Sequence, residues 1–162
     1  MKKRSYLFVV LVLAFSSCVD KVVKSCGSTC EIHGFCDVTS GTCDCDMGYE
    51  GTNCDVETRA RFLGAYSVKQ DSSGSIKNYS CIISNGPASM GAKAITITAL
   101  NGSSLDCTVS SNNSLNVELG NGGGFFKVSG SGLLNGNTIT LNCTFDPTGS
   151  AATYNMAFTL TK

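Results

Sequence analysis

Apolar and polar residues alternate from residue 59 to the end of the chain, in eight short runs with a period of two. Alternation with this period predicts β-strands that bury one face. The predicted inward residues, with their runs, are Phe62, Tyr66 and Val68 (61–69); Tyr79, Cys81 and Ile83 (77–84); Ile95, Ile97 and Ala99 (93–100); Leu105, Cys107 and Val109 (105–109); Leu115, Val117 and Leu119 (115–119); Phe126 and Val128 (126–128); Ile139, Leu141, Cys143 and Phe145 (139–145); and Tyr154, Met156, Phe158 and Leu160 (154–160).

Turn-forming residues separate these runs, and no run predicts a helix of useful length. The turns are Asp71-Ser72-Ser73-Gly74, Asn101-Gly102, Asn112-Asn113 and Asn135-Gly136, which are typical of hairpins. Sequential hairpins with one buried face predict a mainly β fold, an eight-stranded antiparallel meander. We expect the meander to close into a small barrel, because closure removes the sheet edges. A two-sheet β-sandwich is the alternative.

Six of the ten cysteines lie in one short segment, with the spacing C-x3-C-x5-C-x6-C-x-C-x8-C. So short a segment buries too little apolar surface to fold on a core alone, and disulfides must hold it together. Counting cysteines does not choose among the connectivities that six allow. The cysteines are Cys26, Cys30, Cys36, Cys43, Cys45 and Cys54.

This spacing, with the closing Gly48-Tyr49-Glu50-Gly51-Thr52-Asn53-Cys54, resembles an epidermal-growth-factor-like (EGF-like) module. The resemblance implies the disulfides Cys26–Cys36, Cys30–Cys43 and Cys45–Cys54. Gly48 and Gly51 permit the positive φ of a tight loop between the last two cysteines.

Metal binding is a separate question for this segment. EGF-like modules that bind calcium carry an acidic and amide signature and an aromatic residue that this chain lacks. Asp37 alone supplies too few oxygens for the ion, so we expect no calcium. A zinc site built from Cys43, Cys45 and His33 is the alternative for a reducing compartment.

The start of the chain predicts export. Met1-Lys2-Lys3-Arg4 precedes an apolar run of nine residues, Leu7 to Phe15, which is too short to span a bilayer and fits a signal peptide. Ser16-Ser17-Cys18 resembles a bacterial lipobox, with Phe15 in place of the common Leu. This implies that Cys18 becomes the first mature residue and carries lipid. An ordinary secretory signal is the alternative, and either route reaches a compartment that permits disulfides.

These features divide the chain into five parts. They are a signal peptide (1–17), an anchor and tether (18–25), an EGF-like module (26–54), a linker (55–58) and a β domain (59–162). We expect a protein of the cell envelope, lipid-anchored to the outer membrane through Cys18.

The charge is unevenly distributed along the chain. Residues 18–58 carry two lysines against eight carboxylates, and residues 59–162 carry seven basic residues against four acidic ones. The mature chain is therefore net acidic, which is a poor surface for nucleic acid.

The β domain opens with Phe62-Leu63-Gly64-Ala65-Tyr66, which resembles the G-x-W motif in the first strand of lipocalin-like (calycin-like) barrels, with Tyr in place of Trp. The domain is also similar to small Ser/Thr/Gly-rich β domains that follow EGF-like modules in Bacteroidota lipoproteins. It is short for a lipocalin, and we expect its own side chains to fill the lumen.

Three more cysteines lie in the β domain. Alternation predicts that Cys81, Cys107 and Cys143 all face inward. Their odd number allows one bridge plus one buried thiol, or three buried thiols.

Residues for catalysis are scarce, and we expect neither an enzyme nor a cofactor. His33 is the only histidine, so the β domain lacks one for a Ser-His-Asp or Cys-His arrangement. The glycine run 120–124 lacks the Lys, the Ser/Thr and the helix of a phosphate-binding loop, and we interpret it as a hairpin loop. The carboxylates of the β domain fall in turns or at outward positions: Asp71, Asp106, Glu118 and Asp146.

Binding without catalysis is the function that these features favour, with a protein or a glycan as partner. Several carboxylates in the disulfide-braced segment predict an acidic contact surface for a basic partner: Glu31, Asp37, Asp44, Asp46 and Glu50. A purely solvating role for these charges is the alternative on that surface. The alternative function is a small-ligand carrier that uses the barrel cavity.

Overall fold

The structure is a computed structural model that describes residues 23–27, 30, 32–122, 126–147 and 153–162, without the side chains of residues 118–122 and 126. The predicted signal peptide (1–17), the predicted lipidation site Cys18, the carboxylate Glu31 and the glycines at 123 and 124 lie outside the described residues.

The N-terminal part contains four short strands in two small sheets. β1 (Gly34–Asp37) pairs antiparallel with β2 (Thr42–Cys45), and β3 (Tyr49–Glu50) pairs with β4 (Val56–Glu57). Three disulfides brace this part, and they are the pairs that the EGF-like resemblance implies: Cys26–Cys36, Cys30–Cys43 and Cys45–Cys54. Gly48 and Gly51 both have a φ of 94°, the left-handed conformation expected of the closing loop.

Eight further strands form a closed antiparallel barrel. Each strand pairs with its neighbours in sequence, and the last pairs with the first through Ala157↔Asp71 to Thr161↔Ser67. The predicted eight-stranded barrel is confirmed, and the sandwich alternative is wrong. The strands are β5 (Gly64–Ser72), β6 (Ser75–Asn85), β7 (Ala94–Leu100), β8 (Ser103–Val109), β9 (Ser114–Gly122), β10 (Phe126–Asn135), β11 (Thr138–Pro147) and β12 (Tyr154–Thr161).

The described inward side chains meet in one contiguous apolar cluster inside the barrel. Burial of each large side chain is worth roughly 1.5–3 kcal/mol. The three cysteines of the barrel belong to this cluster as buried thiols, so the second of the two predicted arrangements is the observed one. The largest of the deeply buried side chains are Tyr66, Phe62, Phe158, Ile83, Ile95 and Ile97.

Leu119 and Phe126, also predicted inward, lie outside the described side chains. Among the described side chains, two predicted inward positions are wrong, for different reasons. Ala99 is exposed because β7 contains a bulge: the register shifts by one residue between Ile97 and Leu100, and Leu100 takes the inward place. Ala99 has a φ of 59°, which the alternation alone does not show. Tyr154 is 40% exposed because β12 pairs with β5 only from Ala157 onward, so Tyr154 lies beyond the closed part of the wall.

The first predicted strand begins later than expected, because a 3-10 helix over Thr58–Phe62 precedes it. Phe62 is fully buried at the end of this helix, and its carbonyl oxygen accepts a hydrogen bond of 2.7 Å from the Tyr66 hydroxyl. The Lys162 ammonium donates to the Arg61 carbonyl oxygen at 3.0 Å. The helix therefore covers one end of the lumen, which we call the helix end of the barrel.

Gln70 is a buried polar residue that the alternation missed, because the predicted run stopped one residue earlier. Its Oε1 accepts from the Tyr79 hydroxyl at 2.9 Å, and its Nε2 donates to Asn101 Oδ1 at 3.3 Å and to Met156 Sδ at 3.5 Å. The Asn101 backbone N–H donates to the Tyr79 hydroxyl oxygen at 2.9 Å. This network joins β5, β6, β12 and the β7–β8 turn at the end of the barrel away from the helix.

We predict that Gln70→Leu lowers the free energy of unfolding by about 1–3 kcal/mol, because leucine cannot replace the hydrogen bonds of Gln70 to Tyr79 and Asn101, each worth about 0.5–1.5 kcal/mol. Denaturant unfolding followed by circular dichroism measures the change. Lys69→Leu, at the exposed neighbouring position, is the control and should change stability by no more than about 0.5 kcal/mol. Equal effects of the two substitutions would show that the network does not hold this end of the barrel.

Candidate functional site

The hairpin of β1 and β2 projects from the disulfide-braced part with two different faces. Cys36 lies opposite Cys43, and both turn inward to their disulfides, whereas Phe35 lies opposite Asp44 on the other face. The alternation of side chains along a strand requires this separation. Phe35 therefore cannot follow the cysteines inward, and it is 62% exposed.

Two aliphatic side chains extend the exposed surface around Phe35. Val38 follows β1 and is 48% exposed, and Val23 is 70% exposed. The Lys24 backbone N–H donates to the Val38 carbonyl oxygen at 2.8 Å, which fixes the two segments side by side. Val23, Phe35 and Val38 line a groove of about 730 Å³. We call the surface formed by Val23, Phe35, Asp37, Val38 and Asp44 the hairpin face.

Asp37 begins the turn of this hairpin. Its carboxylate accepts the Thr39 backbone N–H at 2.9 Å, and its carbonyl oxygen accepts the Gly41 N–H at 2.7 Å. Hydrogen bonds from Ser40 and then from Thr39 hold the pKa of Asp37 below its ordinary value. Asp37 is therefore ionised on the hairpin face as well as structural in the turn.

The structure brings only some of the predicted acidic residues to one surface. Asp37 and Asp44 lie on the hairpin face, and Asp46 is exposed after the end of β2. Glu50 forms an ion pair with Arg61 of the 3-10 helix, so its charge is used within the chain. The aromatic side chain at the centre of this surface was not predicted, although an inward cysteine at 36 requires an outward side chain at 35.

The disulfide-braced part is fixed to the helix end of the barrel. Besides its ion pair with Glu50, Arg61 donates to Asn113 Oδ1 at 2.6 Å in the β8–β9 turn. The Thr58 backbone N–H donates to the Gly48 carbonyl oxygen at 2.9 Å. A Cβ placed on Gly48 would lie 2.9 Å from the Lys93 nitrogen, so the two backbones are in direct contact here.

The residues of the zinc alternative have other roles. Cys43 and Cys45 are both in disulfides, and His33 stacks on Tyr49 with ring centroids 3.6 Å apart. Across the described residues, no group of three or more His, Cys, Asp or Glu side chains is placed to hold a metal ion.

Two of the predicted carboxylates of the barrel form hydrogen bonds within its fold. The Asp106 carboxylate accepts from the Thr96 hydroxyl at 2.6 Å across β7 and β8, and the Asp71 carboxylate accepts the Gly74 N–H at 2.9 Å in the β5–β6 turn. Burial raises the pKa of Cys81 to about 11 and that of Cys143 to about 12. Both groups are therefore protonated at neutral pH, which makes them poor nucleophiles.

Within the described ranges, no helix is both long and apolar enough to cross a membrane. Comparison of the chain with protein-family models, with curated proteins and with solved structures found no match. The resemblances to the lipobox, the EGF-like module and the lipocalin-like barrel therefore stay predictions.

Proposed function

We propose that this chain is a non-catalytic interaction protein of the cell envelope whose hairpin face binds a basic segment of a partner protein. The observation that carries the proposal is Phe35, an aromatic side chain 62% exposed on a disulfide-braced hairpin, directly opposite Asp44 and two residues from Asp37.

An aromatic side chain in this position suits the role of an anchor. Aromatic residues bury a large area with few rotatable bonds, and they dominate the energetics of many interfaces. The disulfides Cys26–Cys36 and Cys30–Cys43 hold the hairpin in one conformation, which reduces the entropy lost on binding. Val23 and Val38 enlarge the apolar surface that a partner would cover.

The two carboxylates define the chemistry of the partner. Asp37 and Asp44 present negative charge beside the Phe35 ring, and Lys or Arg side chains are attracted both to carboxylates and to aromatic faces. Charges at a rim increase the rate of encounter, and salt weakens them. If the acidic residues only solvate this segment, neutralising Asp44 should not change partner capture.

The carrier alternative has less support. The buried side chains of the barrel form one continuous cluster in the described part of the lumen, and Gln70 is already bonded to Tyr79, Asn101 and Met156. A carrier would need an open apolar cavity with convergent polar groups. We therefore favour recognition on the outside of the molecule.

We also propose that lipid on Cys18 attaches the protein to the membrane. The basic start of the chain, its short apolar run and Ser16-Ser17-Cys18 favour lipidation, and three disulfides suit an oxidising compartment. An extended chain spans at most about 3.5 Å per residue, so Val23 would lie within about 20 Å of the lipidated residue. The hairpin face would then meet its partner close to the membrane surface.

Phe35→Ser should reduce partner capture from envelope extracts by about tenfold, because truncating an anchor costs at least ~1.4 kcal/mol. Asp44→Asn should cause a smaller loss and weaken the salt dependence of capture. Quantitative pull-downs at low and high salt measure both effects. Ile82→Ser, on the outer face of β6 where Ile82 is 57% exposed, is the matched control. Identical partner profiles for Phe35→Ser and Ile82→Ser would remove the hairpin face from consideration.

Cys18→Ala should move the protein from the membrane fraction to the soluble fraction, because acyl chains contribute ~0.8 kcal/mol per buried methylene group and their loss removes the anchor. Cell fractionation with immunoblotting measures the distribution. Ser17→Ala keeps a small residue before the cysteine and should leave the protein in the membrane. If the Cys18→Ala protein stays in the membrane fraction, lipid on Cys18 is not the anchor.

A further inference from the structure

The joint between the disulfide-braced part and the barrel contains a second candidate site, a groove of about 350 Å³. We propose that this groove, which we call the joint groove, binds one or two sugar rings of a neutral glycan. Asp46, Met47 and Tyr49 line one wall, and Lys93, Ser111 and Asn116 of the barrel line the other. The proposal concerns a surface separate from the hairpin face and does not depend on it.

The two walls of the joint groove are held in a fixed relation. The backbone contact between Gly48 and Lys93 lies at the groove, and the Thr58–Gly48 hydrogen bond lies beside it. The ion pair between Glu50 and Arg61 adds a third connection. A site assembled before the ligand arrives loses less conformational entropy on binding.

Four side chains without a hydrogen-bond partner among the described residues line this groove. The side chains of Asp46, Lys93, Ser111 and Asn116 make no hydrogen bond or ion pair with another described residue. Asp46 only accepts, Lys93 only donates, and Ser111 and Asn116 do both. Such a set matches a ligand rich in hydroxyl groups, since each hydroxyl can donate and accept.

The charge of the joint groove disfavours anionic ligands. One carboxylate and one ammonium lie on opposite walls, which gives no excess of positive charge for phosphate or nucleic acid. Met47, which is 81% exposed, contributes apolar surface to this groove. Small apolar areas among polar groups fit the C–H face of a sugar ring, and the volume falls in the range of small-ligand sites, about 300–1,000 Å³.

Nuclear magnetic resonance titration tests the proposal, with maltose, cellobiose, lactose and N,N′-diacetylchitobiose as probes. We expect at least one disaccharide to shift the Met47 methyl and Asn116 side-chain amide signals saturably. The Met156 methyl, at the far end of the barrel, should not move. Asp46→Asn and Asn116→Ala should each weaken binding by about threefold to tenfold, because each removes or weakens one hydrogen bond.

Phe35→Ser should leave disaccharide binding unchanged, so failure of the hairpin face and failure of the joint groove can be distinguished. The absence of a saturable shift with all four disaccharides would overturn the proposal, as would binding that both groove variants retain. The uncharged tripeptide Gly-Ala-Gly, blocked at both ends, is titrated in parallel. Tighter binding of this peptide at the same signals would overturn the assignment to a glycan.

Discussion

The segment from Cys26 to Cys54 has almost nothing to bury, and this constraint determines what it presents to a partner. Cys30 and Cys54 are its only buried apolar residues within the described ranges, so the disulfides take the place of a core. Each disulfide typically contributes ~2–4 kcal/mol, largely by restricting the unfolded chain. Phe35 and Met47 then stay on the surface, because no interior exists to receive them.

The barrel supplies the rigidity that this small part lacks. Its closed sheet surrounds a contiguous cluster of described apolar side chains, with the 3-10 helix at one end and the Gln70 network at the other. Arg61 connects the barrel to the disulfide-braced part. It forms an ion pair with Glu50 of that part and a hydrogen bond with Asn113 in the β8–β9 turn of the barrel. The hairpin face and the joint groove are therefore carried on one fixed base.

Period-two alternation predicted the barrel because each strand buries one face, and a bulge or a short helix changes only the local register. The prediction for Ala99 was wrong because its bulge depends on backbone geometry. The predicted start of β5 was wrong because a buried Phe62 is compatible both with an inward strand position and with the end of a helix. Gln70 could not be predicted, since only its partners on other strands make its burial favourable. Glu50 was assigned to an acidic surface because the position of Arg61 depends on the tertiary structure.

Amide hydrogen exchange of the reduced and the oxidised protein, resolved along the chain, tests most directly whether disulfides replace a core in the N-terminal part. After reduction, the amides of β1 to β4 should lose their protection against exchange, while those of β5 to β12 should keep theirs. The three cysteines of the barrel are thiols already, and its apolar cluster does not depend on disulfides. Protection of β1 and β2 that survives reduction would contradict this account, as would simultaneous loss of protection in the barrel.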